Sequence, residues 1–440
     1  MRLLKSKKPG MIPGFLFFFL CLTLALRISF RPAVEGRLEG VCDFVAERIY
    51  LPAKIIGPWT NECHLRVRKL APGASVAIRI DTFNDLFAQL HTSHLVMYTP
   101  TEATKLWTGE SKETGINAFY VQGELVVRKV HSASPAQKAG VRFGDVIKSV
   151  NGAEGNPEDV ENESGSYVIE RHGQSLKVEI KPASFIADEG LQLERPAKGV
   201  VVLRVPSFRA EYFAEDDWKK TVTALTNARE IIIDLRGNLG GNFVAGLRFL
   251  SPFLCVPTEV GHLIRPPPRS STRGSGESSA GGGAESLAEG AAENLAEKIL
   301  PNELDDDVQI DIVNQARRVR LATFAGYPCV GAKAQMDVLV DAGTASTAEM
   351  AAQALKDFRH AGVRGAMSAG QLLVGLWYAA PEVGEGVKIS IPEAVYETSS
   401  GHRIEGPGVK LDEVLYYHLE DFQNGEDSWI KTVSRRNVAK

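Results

Sequence analysis

Two stretches of this 440-residue chain constrain its fold more than any others. Ile231-Ile232-Ile233 runs straight into Asp234-Leu235-Arg236-Gly237-Asn238-Leu239-Gly240-Gly241-Asn242. Val338-Leu339-Val340 runs into Asp341-Ala342-Gly343-Thr344-Ala345-Ser346-Thr347-Ala348-Glu349. Apolar runs without alternation belong to strands covered on both faces. Each here ends in a turn of small residues, where backbone N–H groups can point at an anion. Val200–Val205 is a third such strand, and Trp218–Thr226 and Thr347–Phe358 read as helices. The expectation for residues 195–420 is therefore an α/β core.

The rest of the chain divides by pattern into further units, so the whole is read as multi-domain α/β. Residues 34–112 read as a helical lobe, because Val41, Phe44, Val45 and Ile49 recur at helical spacing. A second helix is expected over Asp81–Leu90, capped near Asp81 or Thr82. Residues 113–185 change to short alternating strands, at Glu124–Val130 and Ser175–Ile180. Pro266-Pro267-Pro268 opens a Pro/Gly/Ser/Ala-rich insertion, residues 266–300, expected as a surface loop. Leu287, Leu295, Ile299 and Leu300 suggest a short amphipathic helix near its end. Residues 421–440 read as a C-terminal tail.

Residues 1–33 carry six basic side chains and no acidic one, with an apolar run over Met11–Leu26. Sixteen residues are short for a span but suit a signal h-region. An uncleaved anchor that associates with the membrane through residues 11–26 is the other reading. Either one places the body outside the cytoplasm, periplasmic or extracellular. Beyond the leader the chain has 44 basic and 54 acidic side chains. A net charge of −10 is a poor match for nucleic acid. Four cysteines remain, Cys42, Cys63, Cys255 and Cys329, none in C-x-x-C spacing. Three pairings are open; Cys42 and Cys63 flank one short segment and are favoured, and four free thiols are the alternative.

Within residues 113–185 the run Ser134-Pro135-Ala136-Gln137-Lys138-Ala139-Gly140-Val141, then Gly144-Asp145-Val146-Ile147, then Val150-Asn151-Gly152, resembles a PDZ domain of the bacterial protease type. By that resemblance Gly115, Ile116, Asn117, Ala118 and Phe119 stand where such domains hold a peptide carboxylate. The partners implied are polypeptides or their C-terminal ends. The alternative is a PDZ that serves only as a lid.

The turns at Asp234–Gly241 and at Ser346, with Glu349 three residues on, resemble the tail-specific, or C-terminal processing, serine peptidases. The resemblance spans about residues 80–415 apart from the insertion. It implies a ClpP/crotonase-like peptidase core, Ser346 as nucleophile, and an oxyanion hole from Gly240 or Gly241 with Thr347. It implies no cofactor and no metal. A serine at a helix start is also what an N-cap needs. The lysine that activates the serine in the bacterial enzymes falls at position 371, and this chain has Gln371. A glutamine amide cannot take the serine proton. The chain is then an inactive scaffold, or it uses another base.

Thr92-Ser93-His94, with Tyr98 four residues on, resembles a segment of the tricorn protease branch, which uses serine, histidine, a second serine and a late glutamate. Ile404-Glu405-Gly406-Pro407-Gly408-Val409-Lys410-Leu411-Asp412 matches its glutamate segment except that Leu411 replaces a proline. The resemblance implies His94 as base and Ser93 and Glu405 as its orienting groups. His91 is a rival at the same turn. Imidazole titrates near neutrality, so an acid limb at about pH 6–7 is expected.

Overall fold

A computed structural model describes residues 38–187, 190–266, 297–330 and 333–436. The leader and nearly all of the insertion, including Leu287 and Leu295, lie outside the described residues. The chain is a mixed α/β structure with several sheets.

The core sheet runs in the order Glu413–Val414, Gly362–Gly365, Gln335–Val340, Glu230–Asp234, Val200–Arg204, Gln192–Ala197. Its first five strands are parallel and the last is antiparallel. Both faces are covered, as the unbroken apolar runs require. Val201, Ile231, Ile233, Val338 and Val340 pack with the helices Glu215–Leu225, Phe243–Leu254 and Thr347–Arg359. Val200, Val202, Ile232 and Leu339 point the other way, onto Trp429, Ile430 and Val433. Those three sit on the helix Ser428–Arg436, so the segment expected as a tail is the second cover of the sheet. Its residues are spaced to give one apolar stripe, which a tail-like composition disguises.

A second sheet is ordered Val96–Tyr98, Lys388–Thr398, Glu259–Ile264, Arg318–Ala322, Lys298–Ile299. Leu373–Ala379 pairs with Lys388–Thr398 as well. Ile299 therefore lies in a strand and not in a helix. It is exposed while Leu300 is fully buried, because the alternation of a strand applies here.

The N-terminal lobe has helices Leu38–Arg48, Ala53–Arg68 and Val76–Ala88. Val41, Val45, Phe83 and Leu86 pack with Val383, Val387, Ile389 and Ile391 of the second sheet and its connecting turn. The third helix begins ahead of the expected cap: the Ser75 hydroxyl accepts the Ile78 N–H, while Thr82 back-bonds to Ile78 O inside the helix. Disulfides join Cys42 to Cys63 and Cys255 to Cys329.

Between lobe and core in sequence stands a five-stranded antiparallel sheet, Ile116–Val121, Glu124–Val130, Val146–Val150, Gly165–Arg171, Gln174–Ile180, with short helices Pro135–Lys138 and Pro157–Asn162. Ser134 caps the first helix, and Asn151-Gly152 turns with both φ values positive. The chain enters and leaves through paired strands, Glu110–Glu113 and Ala183–Ile186.

Candidate active site

The two small-residue turns lock together at the end of the core sheet. Asp341 Oδ1 accepts the N–H groups of Gly237 (2.8 Å) and Gly343 (3.0 Å). Thr344 Oγ1 donates to Leu235 O, and the Ala345 N–H to Asn238 O, both at 2.9 Å. Asp341 Oδ2 is paired with Arg128 of the five-stranded sheet at 3.0 Å. Beneath the turn, buried Arg236 is held by Asp234 and Asp427. Burial alone would raise the Asp234 carboxyl, but the adjoining Arg236 guanidinium holds it well below the usual carboxylate range.

Ser346 stands at the start of the helix Thr347–Arg359 with φ +55° and ψ −126°. An ordinary N-cap is extended at negative φ, as Ser75 is, so the strained backbone here marks a different use. Gly240, with φ +97°, lies so close that a Cβ on it would sit 2.7 Å from Ser346 Cβ and 3.0 Å from Thr347 N. Its own N–H donates to Asn238 Oδ1 at 2.8 Å, which removes it as an oxyanion donor. The N–H groups of Gly241 and Thr347 carry no hydrogen bond among the described residues. Thr347 Oγ1 donates to Gly241 O at 2.7 Å and holds the two together.

Glu349 is fully buried and uses both oxygens. Oε1 accepts from Ser368 Oγ (2.7 Å) and Gly370 N–H (2.8 Å); Oε2 accepts from Gln371 N–H (2.9 Å) and Ser346 N–H (3.2 Å). Burial pushes its pKa up while these donors hold it down. Sequence reasoning placed Glu349 in the motif but missed this role as the clamp of three segments. Its spacing of three from Ser346, the spacing of a capping box, was the available signal.

The histidine side comes from far along the chain. His94 Nδ1 lies 3.0 Å from Ser93 Oγ, and Ser93 Oγ donates to Glu405 Oε2 at 3.0 Å. The same oxygen accepts the N–H groups of Leu372 (2.7 Å) and Leu373 (3.0 Å). The single Ser93 proton goes to an acceptor-only carboxylate, so His94 Nδ1–H donates to Ser93 Oγ. This fixes the tautomer and leaves Nε2 as the free acceptor. Burial lowers the His94 pKa to about 4. The segment 371–373 joins both halves, because Gln371 O accepts the Ser346 N–H at 2.9 Å. No hydrogen bond joins His94 to Ser346 among the described residues. His91 is exposed, and its side chain forms no hydrogen bond among the described residues. Gln371 is exposed too; its backbone, not its amide, serves the site.

The other candidate residues split. Ile116–Val121 is an edge strand with the helix Pro157–Asn162 against it. The Ile116 N–H already donates to Thr114 Oγ1 at 3.2 Å, and Ile116 and Ala118 face the interior. Asn117 is exposed, and Gly115, with φ +82°, packs on Ser134. The Phe119 ring points away from Ile116 and Ala118, onto Tyr417 (4.9 Å) and Phe422 (5.6 Å). Its side chain thus docks the β domain on the C-terminal segment rather than lining a peptide groove. Strand alternation is the reason.

Residues 199–415 match the model of Peptidase family S41. The chain is similar to a "Probable CtpA-like serine protease" of Staphylococcus epidermidis, with 24% identity over 63% of this chain and 48% of the relative. It is also 24% identical to the "Carboxyl-terminal-processing protease" of Synechocystis, over 72% of this chain and 65% of that one. The chain thus spans about half the length of the first curated relatives it matches. Among solved structures, mature CPAF complexed with lactacystin superposes with a TM-score of 0.56 at 14% identity, covering 92% of this chain and 98% of that one. That likeness is one of fold. The match to Peptidase family S41 thus covers the part of the chain that carries both turns, the Ser346 helix and Glu405.

Proposed function

We propose that the chain is an exported serine endopeptidase. The observation that carries this reading is the Ser93 hydroxyl between His94 and Glu405, a bond that links Ser93 to a carboxylate 312 positions away in sequence. Ser346 Oγ attacks the peptide carbonyl carbon and its proton passes to His94 Nε2. The tetrahedral oxyanion is held by the N–H groups of Gly241 and Thr347 at the helix start. Ser93 and Glu405 stabilise the imidazolium, which then protonates the departing amine. Water, with His94 again as base, hydrolyses the acyl ester.

The substrates are polypeptides, and a PDZ role for residues 113–185 in selecting chain ends rests on the sequence resemblance, with Ile116–Val121 as the edge strand of that sheet. The two disulfides favour an oxidising compartment, periplasmic or extracellular.

Gln371 in place of lysine supports the second reading, an inactive scaffold. Labelling with a fluorophosphonate separates the two. The endopeptidase labels on Ser346 as wild type, fails to label as Ser346→Ala, and labels far more slowly as His94→Ala. An unlabelled wild type that gains labelling as Gln371→Lys establishes the scaffold instead.

A further inference from the structure

The strand Leu373–Ala379 is an edge: Lys388–Thr398 is its one strand partner among the described residues. Pro392 reveals which of its backbone groups face outward. Gly375 stands opposite Pro392, which has no N–H and whose carbonyl accepts the Tyr50 N–H at 2.6 Å. Gly375 and Pro392 therefore exchange no hydrogen bonds, and Gly375 turns its N–H and C=O to the free edge. Trp377, two residues on and opposite Ser390, does the same.

This edge leads away from the reacting centre. A Cβ on Gly375 would lie 3.0 Å from His94 Cβ and 3.1 Å from His94 Cδ2, so Gly375 and His94 share a face. By strand alternation Trp377 shares that face about 7 Å further along. Its ring stacks on Tyr98 (4.5 Å between centroids) and meets Trp107 edge-on (4.3 Å). Trp107 is 49% exposed. Its neighbour Leu106 accepts from Arg209 Nη2 at 3.4 Å, and Phe208 beside Arg209 bridges to Gly241. Arg209 thus ties the segment carrying Trp107 to the segment that pairs with Gly241.

We propose that Trp377, Tyr98 and Trp107 form a specificity subsite for an apolar or aromatic side chain of the substrate, two residues from the scissile bond. The substrate adds as a strand to the free edge, using the outward groups of Gly375 and Trp377. A strand repeats its side-chain direction every two residues. When one side chain lies over Gly375, beside His94, the next on that face lies over Trp377. An aromatic side chain there packs against rings, whereas aspartate would lose water to the same rings. The inference rests on the endopeptidase reading.

The test uses fluorogenic peptides in which Phe, Leu, Gly or Asp is placed in turn at each position flanking the cleaved bond. Wild type is expected to favour Phe over Asp at the second residue on one side by about tenfold or more in kcat/KM. In Trp107→Ala that ratio falls to about twofold. Trp107 is at the surface, so this variant folds, and Trp377→Leu repeats the test from the sheet side. The same peptides are titrated onto Ser346→Ala by fluorescence anisotropy. Equal cleavage of all peptides, or a ratio unchanged in both Trp variants, overturns the subsite. Preferential binding to Ser346→Ala with no cleavage by wild type upholds the subsite and removes the peptidase reading. Neither cleavage nor preferential binding removes both.

Discussion

On the proposed reading the site has a nucleophile half and a base half, and the two are built on opposite plans. The nucleophile half is local to the core: two strand ends, two small-residue turns and one helix start, cross-bonded through Asp341, Asn238 and Glu349. The base half is assembled across the chain. His94 and Ser93 sit just after the helix Val76–Ala88 of the lobe, and their anchor, Glu405, sits at the far end of the core. The two carboxylates show the difference in small. Glu349 spreads its donors over both oxygens, whereas Glu405 gathers Ser93, Leu372 and Leu373 on Oε2 alone. An amide can reproduce one accepting oxygen but not two. The nucleophile half is therefore set by geometry, and the base half by charge.

The sharpest break removes a reacting group from either half. Ser346→Ala and His94→Ala are each expected to lower kcat by about 10⁴-fold or more on an unfolded protein substrate, because members of such a unit act together. Turnover near wild type in either variant overturns the assignment.

Glu405→Gln probes the charge. The amide oxygen of the substituted side chain can keep all three hydrogen bonds, so thermal stability should change little. The negative charge that stabilises the imidazolium is lost, and kcat should fall by about 10²–10³-fold, less than for a carboxylate bonded directly to the imidazole. A large drop in Tm with the rate of the remaining folded enzyme unchanged would show that Glu405 is structural. Glu349→Gln should behave in the opposite sense. Whichever way the amide turns, its NH₂ group faces donors already pointing at it. A destabilisation of about 2–4 kcal/mol is expected, measured by urea unfolding. Unchanged stability would mean that water fills in for the lost oxygen.

The nucleophile half was legible in the sequence because it is local. Unbroken apolar runs give buried strands, and the Gly-rich turn after one and the Gly/Thr/Ser turn after the other place Ser346 at a helix start, to which resemblance adds only the role. Gly240 could be read as part of the turn, but not that its N–H is taken by Asn238, since that depends on a side-chain torsion. The base half was legible only through resemblance. Nothing in the periodicity around His94 says that Glu405 will arrive beside it. Trp429, Ile430 and Val433 were missed because so short a helix carries too weak a periodic signal, and tertiary burial decided it. The aromatic edge at Trp377 was missed because strand pairing across Lys388–Thr398 brings Tyr98 and Trp377 together.

The smallest effect concerns pH, and it tests whether the base half is as enclosed as the nucleophile half. The sequence leads to an acid limb at about pH 6–7. The structure moves it, because burial lowers the His94 pKa to about 4. His94 is then neutral at about pH 6 as well as at about pH 8, and kcat/KM for a short peptide should change less than about twofold between them. The rate should fall only as pH approaches about 4. Stability follows the same group with a definite sign. The unfolded imidazole takes its proton near 6.5 and the folded one only near 4, so between these values the unfolded state binds more protons. The stability present above pH 6.5 is therefore lost progressively as pH falls through this window. A pH titration of the His94 ring proton by NMR, beside kcat/KM and urea midpoints at about pH 5 and about pH 7.5, checks both claims. A midpoint near 6.5 in the titration and in the rate would mean that His94 is open to water. In Glu405→Gln the titration should move still lower, since the remaining opposite charge is gone, and a shift upward would remove Glu405 from the imidazole's surroundings.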